Sequence, residues 1–205
     1  MIFEPLVAPL KFYAVVPTAQ WVERMVDAGA NTVQLRNKML TGDLLRREIE
    51  RCVQATKNSK TQFFVNDYWR EAVETGAYGV HLGQEDMDAA DLQMIANAGL
   101  RLGLSTHGVE ELNRALAVNP SYVASGAVFP TTTKQMKTAP QGLDNLRRYV
   151  AQAGTTPVVA IGGIDLSNAA EVLATGASSL AVVRAVTEAE NPEATVKAFQ
   201  ALWKD

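Results

Sequence analysis

The sequence predicts an α/β protein, a single (β/α)8 TIM barrel spanning residues 1–205. Three observations predict it. Short runs rich in β-branched residues alternate with helical patterns, and eight such pairs leave almost no chain over. Glycines recur where each helix should give way to the next strand, as at Gly29, Gly76, Gly99, Gly154 and Gly176. Such alternation implies a parallel sheet buried on both faces. Closing eight units into a barrel removes both sheet edges. An open doubly wound sheet is the alternative architecture.

The elements follow in order. A strand over 12–16 leads into a helix over 20–28, with Trp21, Val22, Met25 and Val26 on one side. The second strand, 32–36, is followed by a helix over 41–57. The third, 62–66, precedes a helix over 68–75, and the fourth, 78–82, a helix over 88–98. The fifth, 101–105, precedes a helix over 109–118. After the sixth, 122–126, the connection 129–142 is long, which marks it as functional or mobile. A helix over 143–153 then leads to the seventh strand, 157–161, and a helix over 167–174 to the eighth, 179–183. The closing helix is expected over 192–204.

Composition excludes several classes. The formal net charge is −3, so no global basic field advertises nucleic acid or an anionic membrane as partner. Any phosphate chemistry must rest on local cations. Cys52 is the one cysteine, so neither an internal disulfide nor a cysteine-rich zinc cluster can form. It lies in an apolar-periodic helix, with Leu44, Leu45, Ile49 and Val53, and reads as a buried, inert thiol. No apolar run approaches the roughly 18 residues of a spanning helix, and the first residues lack the order of a signal peptide. A cytoplasmic enzyme acting on small molecules is expected. A homo-oligomer is compatible with this reading.

In a (β/α)8 barrel, chemistry sits at the C-terminal ends of the strands. There the polar residues gather: Gln34, Arg36, Asn37 and Lys38 after the second strand, Asn66 and Asp67 after the third. His81, Gln84, Glu85 and Asp86 follow along and after the fourth, and Ser105, Thr106 and His107 end the fifth. Thr131, Thr132, Thr133 and Lys134 follow the sixth, Gly162 and Gly163 the seventh, and Arg184 the eighth. The period of two puts Gln34, Arg36 and Lys38 on one side of an extended chain. With Lys134, two cations and an amide there suit a diphosphate. Asp67 and Asp86 end adjacent strands, where two carboxylates beside phosphate oxygens suit Mg²⁺; each also reads as a helix cap. Asp88 and Asp165 read as caps. Gly162 and Gly163 stand where such barrels commonly bind phosphate, and Arg184 reads as a second positive contact or a solvated side chain. His81 reads as a structural histidine and His107 as a candidate acid or base. Trp21, Trp69 and Trp203 read as packing residues.

The strings QLRNK (34–38), VNDYW (65–69), GVHLGQED (79–86), GLSTH (103–107), VFPTTTK (128–134) and VVAIGGI (158–164), with AVV (181–183), resemble thiamine-phosphate synthases. Each string is modest alone; the set, in this order, covers most of the chain. The resemblance implies a transferase of thiamine biosynthesis that joins a pyrimidine diphosphate to a thiazole phosphate with Mg²⁺. It implies that Gln34, Leu35, Arg36, Asn37, Lys38 and Asn66 bind the aminopyrimidine diphosphate, that Ser105 contacts the pyrimidine, and that Asp67 and Asp86 hold Mg²⁺. Thr131, Thr132 and Thr133 match the segment that meets the thiazole phosphate, Lys134 the lysine on the diphosphate, and Gly163 and Val183 further phosphate contacts. Arg36, Lys38, Ser105 and Lys134 carry the catalytic roles. Arg184 stands where the family often has serine, which makes that contact charged or leaves it to the backbone. The rival readings are a thiazole tautomerase-like isomerase using His107, and a non-catalytic phosphate-binding barrel.

Overall fold

A computed structural model describes residues 2–132 and 139–203. Its eight strands pair in parallel, each with the next, and β1 (Lys11–Val16) closes on β8 (Ser179–Val182). In order come α1 (Ala19–Asp27), β2 (Thr32–Leu35), α2 (Gly42–Thr56), β3 (Gln62–Asn66), α3 (Trp69–Thr75) and β4 (Gly79–Leu82). Then follow α4 (Gln84–Ala89), α5 (Leu92–Asn97), β5 (Arg101–Thr106), α6 (Val109–Ala117), β6 (Tyr122–Ser125) and α7 (Gly142–Ala153). β7 (Val158–Ile161), α8 (Ala169–Leu173), β8, α9 (Arg184–Thr187), α10 (Pro192–Gln200) and a 3₁₀ turn at Ala201–Trp203 complete it.

The strand period of two divides the apolar residues into two cores. One set faces outward to the helices: Phe12, Val33, Leu35, Phe63, Val65, Leu102, Leu104, Val123 and Leu180 are all buried there. Cys52 lies in the same layer, and burial pushes its thiol pKa up. Phe12 stacks on Phe199 at 5.1 Å, which fastens α10 across the closing seam. The other set fills the lumen: Leu10, Tyr13, Val15, Phe64, Tyr122, Ala124, Val159 and Ala181. Three aromatic rings would overfill so narrow a space unless a neighbouring strand gave way. Gly103 does so, since a Cβ there would stand 2.1 Å from the Tyr122 ring. Gly103→Ala would therefore clash with a fully buried ring, an overpacking that costs roughly 1–3 kcal/mol.

Five local expectations are corrected. The single helix expected over 88–98 is two helices. Ala90 is extended, and Asp91, not Asp88, caps the second by accepting from the Met94 N–H at 2.9 Å. Asp88 instead accepts from Arg114 at 2.6 Å. Asp165 caps no helix; its carboxylate accepts from the backbone and hydroxyl of Ser167, closing a turn, and α8 begins only at Ala169. Asp67 does not cap α3 either, because that helix starts from Tyr68 with no side-chain cap bond. The closing helix ends at Gln200; its start matches the pattern of Asn191 as cap and Pro192 in the first turn.

The long connection after β6 is tied at both ends. Its first residues extend the sheet, with Val128 N–H donating to Ile161 O and Phe129 N–H to Gly162 O, each at 3.0 Å. Gln141 joins exit to return: its side chain donates to Gly126 O and accepts from Ser125 Oγ, both at 2.8 Å.

Candidate active site

At the C-terminal ends of the strands the barrel opens into a cavity of about 730 Å³. Gln34, Arg36 and Lys38 all line it, as the alternation of an extended strand requires. The intervening residues turn away. Leu35 is buried in the outer core. Asn37 is spent on its own loop, donating to Pro17 O at 3.0 Å and accepting from the Met39 and Leu40 N–H groups at 2.9 Å. Neither Leu35 nor Asn37, both expected to bind substrate, is on the cavity wall.

Arg36 is half-buried on that wall and has no carboxylate partner among the described residues. A cation held so, with no carboxylate beside it among the described residues, calls for an anion from a ligand. Lys38 pairs with Asp67. Asn66 is buried, and its Nδ2 amide has no hydrogen-bond partner among the described residues. An orphaned buried donor costs about 1–3 kcal/mol unless something satisfies it, so a ligand acceptor is expected there.

Asp67 sits at φ 67°, in the left-handed region that Asp tolerates better than most residues. Its N–H donates to His81 O at 2.9 Å, which ties the turn to β4. Asp86 lies in the first turn of α4. Burial, the negative charge of Asp67 and a hydrogen bond shared with it raise the Asp86 pKa; Lys38 and the Gly83 N–H oppose this. Two carboxylates in hydrogen-bonding reach repel when both are ionised. A divalent cation removes that repulsion, and this is the observation by which the pair fits Mg²⁺. Among the described residues no group of three or more His, Cys, Asp or Glu side chains converges. The pair thus matches the sparse protein ligation of Mg²⁺, completed by phosphate oxygens and water, better than a dedicated cage.

Ser105 and His81 also line the cavity, and His81 Nε2 meets Ser105 Oγ at 2.8 Å. Gln84 donates to Ser105 O at 2.7 Å and so holds the strand end. His107 lines the rim with Nδ1 at 2.7 Å from Glu111. On the opposite side lie Thr131, Gly162, Gly163, Val183 and Arg184. Gly163 has φ 66°, and a Cβ there would stand 2.7 Å from Phe129 Cβ and Pro130 O. Glycine at this position lets the loop after β6 close down on the end of β7. Thr132 is exposed and off the wall. Thr133 and Lys134 lie outside the described residues.

Tyr13 and Tyr122, which form the cavity floor, are among the lining residues that the sequence reading missed. Inward parity was the available signal, since each stands an even number of positions from an inward-facing neighbour on its strand. A tyrosine inside a strand nevertheless reads first as core.

The family described as thiamine monophosphate synthase matches residues 12–186. The chain is 77% identical over 203 residues to a thiamine-phosphate synthase of Neisseria meningitidis serogroup A, covering 99% of both. It is 50% identical over 187 residues to one of Shigella sonnei, covering 91% of this chain and 89% of that one. Among solved structures, a thiamine phosphate pyrophosphorylase from Pyrococcus furiosus matches with TM-score 0.85 and 33% identity, over 95% of each chain. A 3-hexulose-6-phosphate synthase matches with TM-score 0.71 at 16% identity, a likeness of fold alone. With strand-end chemistry, closed barrel and relatives in agreement, the chain belongs to the thiamine monophosphate synthase family and is a transferase of thiamine biosynthesis.

Proposed function

We propose that residues 1–205 act as one catalytic barrel that condenses an aminopyrimidine diphosphate with a thiazole phosphate, or its carboxylated form, to give thiamine phosphate and diphosphate. The observation that carries this is the convergence on one wall of Arg36 and the Asn66 amide, neither with a partner of its own among the described residues, and the Asp67–Asp86 pair. That set fits a diphosphate and its counter-ion. Asp67 and Asp86 would hold Mg²⁺. When bound, the ion would neutralise charge on the departing diphosphate.

The thiazole nitrogen carries a free lone pair, so its attack needs no base. It forms the new C–N bond as the C–O bond to diphosphate breaks, and the electron-rich aminopyrimidine supports positive charge on the methylene carbon between. The chain's work is then alignment and electrostatics. Arg36 and Lys38 meet the leaving group, and Asn66 donates to it. Ser105 and Gln34 orient the pyrimidine. Gly163, Val183, Arg184 and the threonines after β6 take the thiazole phosphate, and Lys134 completes the diphosphate contacts. A cytoplasmic setting fits the single buried, unpaired Cys52.

The test mixes the two phosphorylated halves with and without Mg²⁺. Thiamine phosphate and diphosphate should appear in equal amounts, and only with the metal. A second reading, a thiazole phosphate isomerase, is favoured by one observation: the His107–Glu111 pair on the rim. Turnover of the thiazole phosphate alone, in the presence of chelator, would decide for the isomerase.

A further inference from the structure

A chain of short hydrogen bonds runs across the cavity floor. Gln34 Nε2 donates to Tyr13 Oη at 2.8 Å, and Tyr13 Oη meets Tyr122 Oη at 2.8 Å. Tyr122 Oη meets His81 Nδ1 at 2.8 Å, and His81 Nε2 meets Ser105 Oγ at 2.8 Å. Gln34, Tyr13, Tyr122 and His81 are all buried; Ser105 is half-buried. Five residues from β1, β2, β4, β5 and β6 are thus joined, and the chain's two ends are the residues assigned to the pyrimidine.

We infer that Tyr13, Tyr122 and His81 are positioning residues that force Gln34 and Ser105 to present opposite hydrogen-bonding polarity to the pyrimidine. The argument is a proton count. Each phenol has one proton to donate, and a neutral imidazole has one donor and one acceptor nitrogen. Burial raises both phenol pKa values, so both keep their protons. Because Gln34 donates to Tyr13, the Tyr13 proton goes to Tyr122 and the Tyr122 proton to His81 Nδ1. His81 then carries its proton on Nε2 and gives it to Ser105. The Ser105 hydroxyl proton is left to donate into the cavity, while Gln34 keeps its carbonyl oxygen as an acceptor. Running the chain backwards past the same Gln34 bond would bury a Tyr13 proton with no acceptor, a costly arrangement.

An acceptor from β2 and a donor from β5, at the two ends of the floor, complement an aminopyrimidine, whose exocyclic amine donates and whose ring nitrogens accept. An oxo-pyrimidine presents the reverse. The floor therefore selects the amino form, and does so through residues behind those that touch it. This rests on the proposed condensation for the identity of the ligand.

The test has two independent readouts. In ¹⁵N-histidine spectra of the free protein, His81 should be the Nε2–H tautomer; its signals are told from those of the one other histidine by the His107→Gln spectrum. Tyr122→Phe keeps the ring and removes the link, so His81 should lose that single tautomer. In turnover, Tyr122→Phe and Tyr13→Phe should each raise KM for the pyrimidine diphosphate roughly tenfold. KM for the thiazole phosphate should stay within about twofold, and preference for the amino over the oxo pyrimidine should fall. An Nδ1–H tautomer of His81 in the wild-type protein, or equal rises in both KM values, would overturn the inference. A wild-type protein that makes no thiamine phosphate would defeat the proposed reaction, and the tautomer and its response to Tyr122→Phe would still decide on the chain of bonds.

Discussion

The β2–β5 side of the cavity and its β6–β8 side are made of different materials. The first presents side chains: Gln34, Arg36, Lys38, Asn66, Asp67, Asp86 and Ser105. The second presents mostly backbone and small residues, with Gly126, Ala127, Gly162, Gly163, Ala181 and Val183 on the wall and Arg184 at its edge. One side meets a ligand mainly with polar and charged side chains. The other adds Asp165, Arg184 and Glu188 at its edge, but most of its wall acts by shape, which depends on how closely two segments of chain approach. Charge is removed by a single substitution; close approach is spoiled by adding a single methyl.

The largest effect should come from the charged side. Asp67→Asn keeps the size of the side chain and tolerates the left-handed backbone, but removes the charge that pairs with Lys38. Turnover should fall at least about a hundredfold, or roughly 2.7 kcal/mol of transition-state stabilisation, with an unchanged circular-dichroism spectrum. Near-native turnover would deny that side its electrostatic role.

Gly163→Ala should come next and act differently. The added methyl meets Phe129 and Pro130 on a backbone that L-residues avoid. A cost of about 2 kcal/mol would lower Tm by roughly 4–8 °C. KM for the thiazole phosphate should rise more than KM for the pyrimidine diphosphate. If the two rose together, the division of the mouth into two sides would be lost. The smallest effect is expected from Arg184→Ala. This exposed cation at the start of α9 should contribute about 0.3–1 kcal/mol, a rise of about two- to fivefold in KM for the thiazole phosphate that weakens as salt is added. A salt-independent change would point to lost packing.

The same contrast explains what could be read beforehand. Gln34, Arg36 and Lys38 were legible because polar residues at alternate positions beyond an apolar run have one plausible destination, and all three line the cavity. Leu35 and Asn37 were drawn in with them, although alternation sends both elsewhere: Leu35 to the helix-facing core, Asn37 to its own loop. Asp88 looked like a cap because local spacing permitted it; the break at Ala90 and the partner Arg114 are set by how α4 and α5 fit on the sheet. Tyr13 and Tyr122 were invisible as site residues, because nothing local distinguishes a tyrosine that fills a lumen from one that also passes a hydrogen bond across it.

Alone, the order of residues determined the alternation of strand and helix, and with it the class of fold. It also determined which polar groups would stand at the strand ends, because both follow from short-range periodicity and from the cost of burying unpaired backbone. Tertiary structure alone decided which of those groups meet. The approach of Asp67 to Asp86, the seating of the β6 loop on Gly163, and the bonds from Gln34 to Ser105 all join residues from different strands. Barrel closure sets such distances, and it depends on the packing of every strand at once.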